Sequence, residues 1–135
     1  MLVNADNRAP EYQLIPVSLT GLGTSRNEHV VNNIDAAFDG DDGTFANAAF
    51  WGSGQGVLIT LPEAVRIGKA RLLSDTYDGP GWGNCQMNFG TVSISNDITE
   101  GKSEKIWTGD MMITSIDVIE YARTRIYAIE IWEKI

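Results

Sequence analysis

The sequence is poor in the residues from which small reactive or cross-linked sites are made. It has one cysteine, Cys85, one histidine, His29, and four prolines in 135 residues. A single cysteine excludes a disulfide framework within the chain and a zinc site built on cysteines. A single histidine excludes a histidine-rich metal centre, and the two together leave little from which to build a nucleophile–base pair. No apolar run is long enough to span a bilayer, so no membrane insertion is expected. Residues 1–7 lack both a basic start and an apolar core, so no signal peptide is read there. Localisation stays open beyond that, with a virion surface or the extracellular space as candidates.

Basic residues are also scarce, 10 Lys and Arg against 18 Asp and Glu, giving a net charge of −8 and a pI near 4.4. That balance disfavours nucleic acid and anionic membranes as partners and suits cations and neutral ligands. Hydrophobic residues make up 43% of the chain, the composition of an ordinary globular protein able to bury a core of its own. We expect an N-terminal arm over residues 1–13 and one domain over 14–135.

Along the chain, period-two alternation and β-branched runs predict short strands at 14–19, 57–61, 65–73, 91–95, 105–107 and 125–132, with Gly68 a bulge. Segment 111–119 fits either strand or helix by spacing; its β-branched content favours sheet. Ser25–Glu28 fits a capping box that starts one or two helical turns over 26–34. Segment 74–90, dense in glycine and proline from Gly79 to Gly83, reads as a long loop. Many short strands, turns between them and almost no helix predict an all-β, single-domain β-sandwich of the jelly-roll type.

The densest chemistry lies in Ala36-Ala37-Phe38-Asp39-Gly40-Asp41-Asp42-Gly43-Thr44-Phe45. Carboxylates and a threonine supply hard oxygen donors, and glycines let carbonyls turn inward. Calcium takes about six to eight such oxygens at flexible geometry. The other reading is a polar surface turn, because Asp-Gly pairs mark turns with or without a metal. An EF-hand is excluded by spacing: from Asp39, the required glycine falls on Thr44 and the final glutamate on Phe50. Glu130, set among apolar residues of the last strand, needs a partner; a metal, Arg125 or Lys134 are the candidates.

The order of these features resembles the discoidin-type, galactose-binding-like domain of coagulation-factor C-type domains and carbohydrate-binding modules. The resemblance rests on the acidic loop Ala37–Ala46, the strand Val57–Leu61, Ser95-Asn96-Asp97 before Trp107, and the last strand Arg125–Ile131, and it spans residues 14–133. It implies a jelly roll with a structural calcium held by the side chain of Asp39, the carbonyls of Ala36 and Asp41, Thr44 and Glu130. The sequence departs from the family where Ala46 replaces a tryptophan; a Phe-Trp pair follows at Phe50-Trp51. Asn47, or Gly52, stands where galactose binders place a histidine, and 74–90 contains no arginine. Galactose specificity is therefore not implied.

For a glycan, stacking aromatics and hydroxyl-reading polar groups are present in Tyr77, Asp78, Trp82, Asn84 and Gln86, with Trp51 nearby. The alternative is that Tyr77 and Trp82 pack into the loop's own small core. The expected function is a non-catalytic, lectin-like carbohydrate-binding module with structural calcium, working in a homo-oligomer or larger protein assembly. The second reading is a structural or adhesion subunit, such as a virion or tail protein, that docks through the same sandwich.

Overall fold

A computed structural model describes residues 12–16, 31–32, 34–48, 55–76, 85–95, 102–120 and 124–135. Strands dominate: β1 (Tyr12–Leu14), β2 (Val31–Asn32), β3 (Ala46–Ala48), β4 (Gln55–Thr76), β5 (Gln86–Phe89), β6 (Val92–Ser95), β7 (Ser103–Glu120) and β8 (Thr124–Lys134). One short 3-10 helix, Ile34–Phe38, precedes the acidic loop. Every pairing is antiparallel, in the order β2-β3-β8-β4-β7-β5-β6, with β1 added on β8.

Two long strands turn this ladder into a sandwich. The first residues of β4, Gln55–Thr60, pair with the end of β7, which also carries β5 and then β6. The second part of β4 pairs with the start of β7 on one side and with β8 on the other. The register shifts between Thr60 and Val65, across Pro62, and again between Ile67 and Lys69. Gly68 is thus the bulge expected from its place in the pattern. A Cβ there would fall 2.8 Å from Tyr12 Cε1 and 2.9 Å from Lys134 Cβ, so β1 and β8 close over this position only because it is glycine.

The core between the layers takes Ile59, Leu61, Ile67, Ala70 and Leu72 from β4, with Met87, Phe89 and Ile94 from the β5–β6 hairpin. Ile113, Ile116 and Val118 come from β7, and Ile126, Ile129 and Ile131 from β8. Each fully buried aliphatic side chain contributes about 1.5–3 kcal/mol. A separate apolar cluster of Leu73, Tyr127 and Ala128 lies on the opposite face of β4 and β8, where the register shift between Leu73 and Ser74 brings the consecutive residues Tyr127 and Ala128 to one side. That outer face carries the acidic loop.

Several expectations are corrected. The two strands read at 57–61 and 65–73 are one strand of 22 residues. Segment 111–119 is sheet, as its β-branched content favoured, but it and the short strand read at 105–107 are one 18-residue strand that begins at Ser103. Segment 74–90 is not one loop, since β4 runs to Thr76 and β5 starts at Gln86. The first described strand is at Tyr12–Leu14, ahead of the 14–19 expected. Of the helical turns read over 26–34, residues 26–30 and 33 lie outside the described residues; Val31 and Asn32 are instead strand, paired with β3, and Ile34 begins the 3-10 helix.

Candidate functional site

The acidic loop is shaped by its own side chains. Asp39 Oδ1 accepts the Asp41 N–H at 2.9 Å, and Asp41 Oδ1 accepts the Gly43 N–H at 2.8 Å. Gly40 lies at φ +76°, a left-handed turn that glycine makes without strain. These two Asp-centred turns bring Thr44 back against the start of the loop. Its hydroxyl donates to Asp39 Oδ2 and lies 3.0 Å from the Asp41 carbonyl oxygen and 3.4 Å from that of Ala36.

The result is four oxygens from Ala36, Asp39, Asp41 and Thr44 gathered around one hydroxyl proton. A hydroxyl has one proton to give, so this group holds more acceptors than donors, the donor chemistry of a hard cation such as calcium. The Thr44 hydroxyl, followed by the Asp41 N–H, holds the Asp39 carboxyl below the usual carboxylate range, so it is anionic at neutral pH. Among the described residues no three His, Cys, Asp or Glu side chains gather as a metal-holding group. The candidate set depends instead on carbonyl and hydroxyl oxygens.

Glu130 borders the same half-open cavity as Asp39, a space of about 240 Å³ also lined by Leu14, Ile15, Phe38 and Ile129. Its ion-pair partner is neither Arg125 nor Lys134. Arg71, directly opposite in the β4–β8 register, donates from Nη1 to Glu130 Oε1 at 2.6 Å. The same guanidinium reaches Asp42 Oδ2 at 2.7 Å and Glu104 Oε2 at 2.6 Å. Arg71 therefore ties the acidic loop, β7 and β8 together, and its bond is the main reason the Asp42 carboxyl is held low. Lys102 Nζ adds a bond to the Asp42 carbonyl at 3.0 Å. Arg125 goes elsewhere, to Asp75.

Sequence reasoning missed Arg71. The available signal was a cationic residue between Ala70 and Leu72 in a strand that otherwise reads as buried; its partners are 29, 33 and 59 positions away.

The proposed ligand residues Trp51, Tyr77, Asp78, Trp82 and Asn84 lie outside the described residues. Gln86 is described: it opens β5, half-buried, opposite Ser95 and Ile119. The registers do show where the intervening segments start and finish. Thr76 is opposite Thr124, Gln86 opposite Ile119, Gln55 opposite Glu120, and Asn47 opposite Arg125. Segments 49–54, 77–84 and 121–123 are thus all anchored at one end of the sandwich. The acidic loop lies towards the middle of the outer face, beside the Arg71–Glu130 pair.

This topology has solved counterparts. A family 32 carbohydrate-binding module of Clostridium perfringens NanJ, solved with galactose, superposes with a TM-score of 0.56 at 14% identity, covering 91% of this chain and 100% of that one. The fold is the discoidin-like, galactose-binding jelly roll. A family 32 module from a C. perfringens family 89 enzyme, solved with GlcNAc-α-1,4-galactose, gives 0.57 at 13% identity over 94% of this chain and 98% of the module. The first such module of a C. perfringens family 31 glycoside hydrolase gives 0.56 at 13%, covering 84% and 94%. At these identities the likeness establishes the fold. No protein-family model and no curated protein matches the sequence. Among the described residues no helix is long and apolar enough to cross a membrane.

Beneath the end where these segments are anchored sits a buried polar group. Glu120 is fully buried, and neither carboxylate oxygen has a hydrogen-bond partner among the described residues. Burial pushes its carboxyl well above the ordinary range, so it is held neutral. Burial, with Glu120 close by, likewise raises the Cys85 thiol. A thiol held protonated and out of solvent is a structural group, not a nucleophile.

Proposed function

We propose that this chain is a non-catalytic carbohydrate-binding module. The observation that carries the reading is the jelly roll itself, shared over nearly the whole chain with modules solved in complex with galactose and with GlcNAc-α-1,4-galactose. The common anchoring of segments 49–54, 77–84 and 121–123 supports a recognition surface at that end. Trp51, Tyr77, Asp78, Trp82, Asn84 and Gln86 supply stacking faces and hydroxyl-reading groups for it. The inert environment of Cys85 supports a binding role over catalysis.

In this reading the Asp39–Thr44 loop holds a structural calcium through the Asp39 side chain, the Ala36 and Asp41 carbonyls, Thr44 and Glu130. Calcium would neutralise the gathered oxygens and join the loop to the last strand, and it takes no part in reading the sugar. The module works in an oligomer or a larger assembly, because single-site sugar affinities are weak and an array multiplies them.

Affinity electrophoresis through gels containing neutral polysaccharides tests the binding role. The wild type is retarded by at least one polysaccharide and Trp82→Ala migrates freely. Equal mobility of both proteins in every gel would contradict the proposal.

A further inference from the structure

The two elements that calcium would join, the acidic loop and β8, are already joined by Arg71. It holds Asp42 of the loop and Glu130 of β8 with one guanidinium, and Glu104 of β7 with the same group. Glu130 Oε1 is the atom engaged, and Arg71 itself is largely shielded, at 16% side-chain exposure. We propose that Arg71 is a built-in substitute for the metal: it keeps the loop clasped to the last strand when calcium is absent. The inference rests on the calcium reading of the loop given above.

The charges support this. Arg71 faces three carboxylates and is the cation shared among them, so the cluster stays anionic and still attracts a divalent ion once Arg71 is in place. Arg71 cannot lose its proton, since three carboxylates raise an already high value further. The clasp is therefore insensitive to pH on the arginine side. Two ties between the same pair of elements are partly redundant, and their energies do not add. In the wild type, Arg71 already engages Glu130 Oε1 and offsets the charge there, so calcium binds more weakly than it would without Arg71, and its effect on stability, which its affinity sets, is correspondingly smaller. Without Arg71, calcium is left to supply the ionic tie to Glu130, while the Phe45–Tyr127 contact remains at the loop's C-terminal end.

The test compares thermal melts in calcium and in chelator, with calcium binding followed by calorimetry. Arg71→Met melts lower than wild type in chelator, and its calcium-minus-chelator shift is at least about twice the wild-type shift, as expected for removing one of two redundant ties. Asp42→Ala removes only Arg71's grip on the loop, leaves every candidate calcium ligand in place, and moves in the same direction. Glu104→Gln removes the same charge without touching loop or β8, and keeps the wild-type shift. If Arg71→Met folds only when calcium is added, the proposal is supported; if it folds in neither condition, Asp42→Ala decides. Calcium binding with equal shifts in wild type and Asp42→Ala would overturn the substitute role and leave the calcium site standing. No calorimetric calcium binding by wild type or either variant would overturn both.

Discussion

Asp75 and Tyr127 are joined across β4 and β8 by a hydrogen bond of 2.8 Å from the tyrosine hydroxyl to Oδ2. Arg125 Nε and Nη2 complete the set, each 2.8 Å from one Asp75 oxygen. Burial, then the bond to Asp75, pushes the Tyr127 hydroxyl up to about 12, so it stays a donor throughout the physiological range. Phe45 packs edge-on against the same ring at 5.7 Å, and Lys102 sits 4.0 Å above it. The acidic loop is thereby held down at its C-terminal end by aromatic contact and at Asp42 by charge.

A double-mutant cycle measures that arrangement. Asp75→Ala leaves Arg125 with its main carboxylate gone from a largely buried position and costs about 3–5 kcal/mol. Tyr127→Phe removes one bond to a charged acceptor and costs about 1.5–3 kcal/mol. The double mutant falls short of the sum by about 1 kcal/mol or more, because the two side chains share one network. Urea denaturation of the four proteins reads each value; strict additivity would show that the network is not coupled.

Glu120→Gln has a predictable pH signature. The wild-type carboxyl is raised in the folded protein from an ordinary value of 4.5, so folding favours its protonated form. The stability that this neutral form supplies is fully present below about pH 4.5 and is lost as pH rises towards the folded value, by up to about 1.4 kcal/mol per unit. The amide cannot ionise. Melts from pH 4 to 8 should show the variant gaining on wild type as pH rises, with the two closest at the acid end. A constant difference across the range would mean that Glu120 is ionised in the fold.

Thr44→Val isolates the hydroxyl around which the loop oxygens gather. Calcium affinity by calorimetry falls by about tenfold or more, equivalent to 1.4 kcal/mol. The melt in chelator moves by only about 1 kcal/mol, the worth of one ordinary hydrogen bond. Unchanged calcium affinity would place the ion elsewhere.

What was legible in the sequence depended on how local the cause was. Val92–Ser95 and Thr124–Lys134 alternate or run in β-branched residues, and both are strands where expected. Gly68 betrayed its bulge because a lone glycine inside a strand pattern marks a break in register. By contrast, Pro62 and the Thr108-Gly109-Asp110 stretch interrupt the hydrophobic pattern and shift the register of the ladder, yet pairing resumes beyond each, so β4 and β7 are continuous strands that read as several short pieces. Glycine and proline between Gly79 and Gly83 likewise masked the strand residues on both sides of that segment. The acidic loop was legible as a donor set, since oxygen chemistry follows from composition. The Arg71–Glu130 pair was not, because it depends on the register of strands 59 positions apart.

A glycan array probed with wild type and Trp82→Ala tests the proposal that this jelly roll reads a sugar with the segments anchored beyond Thr76 and Cys85. The wild type should bind a discrete set of glycans and the variant should lose them, with unchanged far-ultraviolet circular dichroism. Absence of binding to every glycan by a folded, calcium-saturated wild type would contradict it.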